Sequence, residues 1–283
     1  MDFSLRKITK DLLPAFIPYL LPQAARAIEE DCALALGAVT GSKTCGAIAG
    51  HVENGELTIF SLFVDKQVRL SGAASMLLDG LIKAADCDSV SARWILPEEE
   101  FLAAETFFMV HGFSPAEYGD EIYRLCSDSF KNAPSLKSAF SPAFRQDGNI
   151  VSVSAFVEEE MRELLGDESI PSFLRLNNFS PEERSSPICL GYRYGGRICA
   201  YIICSISDDN SVAMRAALSR EGAPPAVFHL LTAAAIRQVI TQLGEKFFVF
   251  ISPITAPAKR LTVQLSGGNY DIWHEGSCQK ELT

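Results

Sequence analysis

A ten-residue pattern near the start of the chain returns 154 positions later. Leu36-Gly37-Ala38-Val39-Thr40-Gly41-Ser42-Lys43-Thr44-Cys45 is answered by Leu190-Gly191-Tyr192-Arg193-Tyr194-Gly195-Gly196-Arg197-Ile198-Cys199, with Leu, two Gly, a basic residue and Cys in register. Each copy reads as strand, glycine-containing hairpin turn, strand. Gly112-Phe113 and Gly267-Gly268 recur at nearly the same offset, 155. Solenoid repeats have periods of about 20–50 residues, so a repeat this long means two related domains. A chain of 283 residues has room for both.

The elements around the repeat agree. Residues 3–8 read as a short strand and 11–28 as a helix with a break near Pro22; 150–154 and 156–165 repeat that order. Residues 127–149 hold Asn132-Ala133-Pro134-Ser135, Ser141-Pro142 and Asp147-Gly148-Asn149, which is turn chemistry. The expected division is therefore a first domain over 1–128, a linker over 129–149 and a second domain over 150–283. Within the first, the apolar run 56–64 is a strand. A helix opens near Ser71, its buried face marked by Ala74, Leu77, Leu78, Leu81, Ile82 and Ala85. Residues 90–96 form a strand stopped by Pro97, residues 98–110 a helix closed by Gly112, and residues 118–125 a last strand. The order β-α-β-β-β-α-β-α-β predicts an α/β (α+β mixed) fold, a mixed, mostly antiparallel sheet flanked by helices.

Charge and cysteine usage narrow the function classes. The net charge is −10, both halves are acidic, and no Lys/Arg run offers the phosphate-neutralising stripe of a nucleic-acid binder. A cationic small molecule is the more natural partner. The eight cysteines form no Cys-x-x-Cys pair and the four histidines are scattered, so no metal site is expected and the thiols read as small core groups. No stretch approaches the roughly 18–20 apolar residues of a membrane span. Met1-Asp2-Phe3-Ser4 lacks a signal peptide's layout. No membrane partner is expected, and the expected location is cytoplasmic.

The junction Val64-Asp65-Lys66-Gln67-Val68-Arg69-Leu70-Ser71-Gly72-Ala73-Ala74 is strand, loop, then a helix opening with small residues. First-turn amides of a helix lack intrahelical partners and carry the positive end of the dipole, so a pyrophosphate can approach them closely. Arg69 adds a charge-assisted contact. Here the chain resembles the GNAT superfamily of acyl-CoA-dependent N-acyltransferases. Their loop reads Gln/Arg-x-x-Gly-x-Gly/Ala, as Arg69-x-x-Gly72-x-Ala74 does, and their second helix ends in Gly-Phe, as Gly112-Phe113 does. The match covers residues 3–125.

The resemblance implies two tandem GNAT-like domains and an acyl-CoA-dependent N-acyltransferase, with acetyl transfer to a small-molecule amine acceptor. It implies acetyl-CoA or coenzyme A as cofactor. Leu62, Phe63 and Val64 would hold the pantetheine arm, and Arg69, Leu70, Ser71, Gly72, Ala73 and Ala74 the pyrophosphate. Glu56 falls at the family position of a base, near the start of the fourth strand. Phe108 falls against the cofactor where the family places a proton-donating Tyr, and Phe101 where it places Asn. Tyr118 or Tyr123 is then a substitute acid. These departures keep open an alternative, a non-catalytic acyl-CoA-binding or interaction module on the same fold. In the second domain, Ser219-Arg220-Glu221-Gly222-Ala223-Pro224-Pro225 lacks the Arg-x-x-Gly-x-Gly/Ala spacing, and its prolines remove amide donors. Its cofactor loop is expected to be degenerate.

Overall fold

The computed structural model describes residues 2–207 and 210–282. The chain packs as two units, Met1–Asp120 with His274–Thr283, and Glu121–Trp273. The first unit contains β1 (Ser4–Lys7), α1 (Leu13–Phe16), α2 (Pro22–Glu29), β2 (Leu34–Thr40), β3 (Lys43–Glu53), β4 (Glu56–Val64), α3 (Ala73–Ala84), β5 (Ser89–Pro97) and α4 (Glu98–Val110). β6 (Glu117–Cys126) begins there and leaves it after Asp120. β1 to β4 pair antiparallel in order, and β5 lies parallel to β4. The next strand along is the chain's C-terminal one, Asp271–Glu281, and β6 follows it.

Local chemistry explains most of these bounds. The helix expected over 11–28 is two helices with a 3-10 turn, Ile17–Tyr19, between them. Pro18 supplies no amide donor, and Pro22 pushes Leu21 into an extended conformation, at ψ 149°. α3 buries Leu77, Leu78 and Leu81 against the sheet. α4 opens with Glu98, Glu99 and Glu100, which suit the positive end of its dipole. It closes on Gly112, whose φ of 84° lets the Phe113 amide donate back to the Phe108 carbonyl at 3.1 Å.

The second unit contains α5 (Ser127–Asn132), β7 (Ile150–Ser152), α6 (Glu158–Gly166), α7 (Pro181–Arg184), β8 (Leu190–Tyr194), β9 (Arg197–Ile206), β10 (Ser211–Ser219), α8 (Val227–Leu243), β11 (Phe248–Ile251) and α9 (Ala256–Leu265); the C-terminal strand is β12. β7 to β10 pair antiparallel in order, β11 lies parallel to β10, and β6 lies antiparallel to β11. Both units are mixed, mostly antiparallel sheets flanked by helices. The segment read as a linker over 129–149 packs into this unit instead. Phe130, Ala133, Leu136 and Ala139 are buried in its core, because the turn residues there alternate with apolar ones at helical spacing.

The repeat holds to single contacts. The β2–β3 register Leu36↔Ile48, Ala38↔Gly46, Val39↔Thr44 becomes Leu190↔Ile202, Tyr192↔Ala200, Arg193↔Ile198 in β8–β9, with the register shift at the same step. The Cys45 thiol donates to the Ala38 carbonyl at 3.3 Å, and the Cys199 thiol to the Tyr192 carbonyl at 3.5 Å. Gly41 and Gly195 turn their hairpins at φ 60°. Gly37 and Gly191 each face an aromatic ring, Phe16 and Phe156, which leaves no space for a Cβ.

Candidate functional site

β4 carries the first feature of the site. Its register against β3 steps from Gly50↔Ile59 to Ala49↔Ser61, so Phe60 bulges out. Pairing with β5 stops at the same level, Ile59↔Ala92, while both strands run on, to Val64 and Pro97. Beyond the bulge β4 and β5 therefore separate, and the edge of β4 can take an added extended chain. Ser61, buried within this stretch, accepts the Leu21 amide at 3.3 Å and pins the segment after Tyr19 to it.

The loop after β4 is ordered from within. Asp65 accepts the Gln67 amide at 2.8 Å and starts a 3-10 turn, Lys66–Val68. Arg69 Nε donates to the Val64 carbonyl at 3.3 Å, and its guanidinium lies 5.6 Å from the centre of the Phe63 ring. Ser71 Oγ donates to the Val68 carbonyl, and Leu70 stands fully exposed at φ 62°. Gly72 is the N-cap of α3 at φ 89°, with no side chain capping the helix and no atom within 4 Å of where a Cβ would be. The small residues Gly72, Ala73 and Ala74 thus present uncapped first-turn amides beside a tethered guanidinium. That donor set suits a pyrophosphate. Leu62, Phe63 and Val64 precede it on β4, with the Val64 and Ala73 side chains buried in the core.

The remaining candidates lie apart from it. Glu56 is exposed at the paired start of β4, opposite Ser89 of β5. Three residues separate it from Ile59, which is about 10 Å along a strand. Tyr118 lies on β6, beyond β12 from β5, hence about 10 Å to the side at the usual strand spacing. Its hydroxyl donates to Glu105 Oε2 at 2.9 Å, and that bond raises its pKa. The hydroxyl keeps its proton and directs it at Glu105. Phe108 is buried and stacks on Trp94 at 5.3 Å, and Phe101 packs on the same indole at 5.7 Å. The two apolar departures on α4 are seven residues apart, two turns on one helix face, and share one partner. Trp94 escaped the sequence reading, although an indole two residues beyond the last β4–β5 pair is a visible signal. Its Nε1 is buried without a hydrogen-bond partner.

The corresponding loop of the second unit is closed. Pairing of β10 with β11 also stops at a bulge, Arg215, and Met214↔Ile251 is the last pair. Arg220, however, donates to Glu163 and pairs with Asp167, at 2.7 and 2.8 Å, so its guanidinium is spent on two carboxylates. Pro224 and Pro225 lack amides, and the Val227 amide is held by the Pro224 carbonyl at 3.0 Å.

No protein-family model and no curated protein matches this sequence. Solved structures do. A tandem GNAT protein from the clavulanic acid biosynthesis pathway superposes over 100% of both chains with a TM-score of 0.59 at 12% identity. The chain has the tandem GNAT fold. A GCN5-related N-acetyltransferase from Sphaerobacter thermophilus matches 99% of this chain and 95% of its own, with a TM-score of 0.51 at 15% identity. The glucosamine N-acetyltransferase region of a fungal multi-domain β-N-acetylglucosaminidase matches 99% of this chain and 38% of its own, with a TM-score of 0.50 at 14% identity. The fourth strand of each unit is bulged, and the two units differ in the loop that follows it. Among the described residues no helix is long and apolar enough to cross a membrane.

Proposed function

We propose that this protein is an acyl-CoA-dependent N-acyltransferase with one cofactor site, in the first unit, acting on a small amine. The observation that carries the reading is Gly72, a left-handed N-cap with open space around it, set between the tethered Arg69 guanidinium and the uncapped amides of α3. In this reading Arg69 and the Gly72–Ala74 amides hold the pyrophosphate, and the unpaired edge of β4 over Leu62, Phe63 and Val64 holds the pantetheine arm. Bound acetyl-CoA supplies an acyl group activated as a thioester. Phe108 and Phe101 supply no proton, and none is needed to release a thiolate whose conjugate thiol has a pKa of about 8.5. An alkyl amine must still shed a proton before it attacks, and the acidic surface favours its approach.

A second reading, an acyl-CoA-binding module without turnover, is favoured by the enclosed Trp94–Phe101–Phe108 cluster and by the Glu105 bond that occupies Tyr118. Calorimetry with acetyl-CoA, followed by thiol release across a panel of amines, separates the two. Binding with turnover supports the enzyme, and binding without it supports the module. Gly72→Asp places a carboxylate at the anion site and should weaken acetyl-CoA at least about a hundredfold, from lost amide contacts plus like-charge repulsion. Unchanged affinity would refute the placement of the pyrophosphate.

A further inference from the structure

A pocket of about 280 Å³ in the second unit lies between residues 135–150 and the first half of α8. Its lining includes Arg145, Asp147 and His229 among three serines, with Phe144, Leu230 and Ala233 as apolar surface. The loop that forms it is held in shape. Asp147 Oδ1 accepts the Asn149 amide at 2.8 Å and Oδ2 accepts the Tyr192 hydroxyl at 3.4 Å. The Phe144 amide donates to the Ser141 carbonyl at 3.1 Å, and the Phe144 ring packs on two of the unit's apolar clusters. Arg145 is fixed at its backbone between these two anchored residues. Its guanidinium is exposed, and among the described residues it makes no ion pair, with Asp147 or with any other carboxylate.

A cation and an anion that line one small pocket without pairing complement a ligand that carries both charges. The guanidinium fork matches a carboxylate, and Asp147 has lone pairs left for an ammonium group. Phe144, Leu230 and Ala233 reward an apolar body. A phosphate dianion would meet the Asp147 charge, and a simple amine would meet Arg145. The volume is below the roughly 300–1,000 Å³ of drug-sized sites, which sets the scale at a single metabolite. We propose that this pocket binds a free α-amino acid with an apolar side chain, its carboxylate on Arg145 and its ammonium on Asp147.

The test uses the full chain and calorimetry with leucine and phenylalanine, each beside the analogue that lacks one charge: 4-methylpentanoate and 3-phenylpropanoate without the ammonium, 3-methylbutylamine and phenethylamine without the carboxylate. At least one amino acid should bind with a Kd of about 1 mM or tighter, and removing either charge should weaken it about tenfold or more. Arg145→Gln should weaken binding by a similar factor, and so should Asp147→Asn, which keeps an oxygen for the Asn149 amide. Unchanged circular dichroism of both variants separates a lost charge from a lost fold. Amino-acid binding that survives Arg145→Gln lies elsewhere, the acceptor side of the first unit included, and overturns the proposal. So does an analogue that binds as tightly as its parent, or no binding at all. None of these readouts depends on acetyl-CoA.

Discussion

At the scale of single residues, the repeat is a record of packing more than of chemistry. Gly37 and Gly191 occupy equivalent strand positions with ordinary backbone angles, so conformational freedom does not explain them. Space does: a Cβ on Gly37 would fall 2.1 Å from Phe16 Cε1, and one on Gly191 would fall 2.3 Å from Phe156 Cζ. Overpacking of this kind costs about 1–3 kcal/mol. Gly37→Ala and Gly191→Ala are each expected to destabilise the chain by about that amount in urea unfolding. Adding Phe16→Leu to the first, or Phe156→Leu to the second, should recover part of the loss. Equal stability of either alanine variant and the parent would show that the ring is free to move. The glycines and cysteines were legible in the sequence as a pattern, and their partners were not. Phe16 and Phe156 sit 21 and 35 positions before the glycines they cover, and no local spacing announces that contact. The same holds for Trp94. Phe101 and Phe108 stood out as departures from a family pattern, but only the fold shows that one indole serves both.

At the scale of elements, strand and helix bounds followed the sequence wherever one segment decided its own structure. β4 and α4 run over residues 56–64 and 98–110 as their apolar patterns and flanking residues imply. Elements whose form depends on distant carboxylates or ring packing were harder. α6 begins at Glu158 after a 3-10 turn, Val153–Ala155, and Glu160 organises that start. It accepts the Val157 amide at 3.0 Å and two Arg193 bonds at 2.7 and 3.0 Å. Arg193, ahead of the hydrogen bond from Val157, lowers the Glu160 pKa from its ordinary 4.5, against the opposing effect of burial. The folded protein therefore binds this proton less tightly than the unfolded chain does. The contribution of Glu160 is complete above pH 4.5 and is lost as pH falls through the lowered folded value. Glu160→Gln should lower the unfolding midpoint near neutral pH, and the gap to the parent should close in acid. A gap that persists at a pH where both carboxyls are protonated would mean that shape, not charge, is what Glu160 contributes.

At the scale of the molecule, the repeat predicted two domains in succession, while the polypeptide assigns its last strand to the first unit. His274–Thr283 packs with residues 1–120, and the Tyr123–Cys126 end of β6 pairs with β11 in the other unit. A local pattern reveals that a strand exists but carries no mark of which unit it completes, since pairing is a non-local choice. The consequence is physical. Gly276 is buried against Trp94 and Phe101, Cys278 lies in the main apolar cluster of the first unit, and Lys280 donates to the His111 carbonyl at 2.7 Å. A chain ended after Trp273 loses all of these contacts and strips the Gly276 backbone from Phe101 and Trp94. Hydrogen exchange on that chain should show β5 and α4 deprotected, while β9 and α8, which belong to the other unit, keep their protection. A fragment of residues 1–128 should fail to fold for the same reason, although the repeat alone marks it as a complete domain. If α4 in the truncated chain exchanged as slowly as in the parent, β12 would be an ornament on the first unit rather than part of its core.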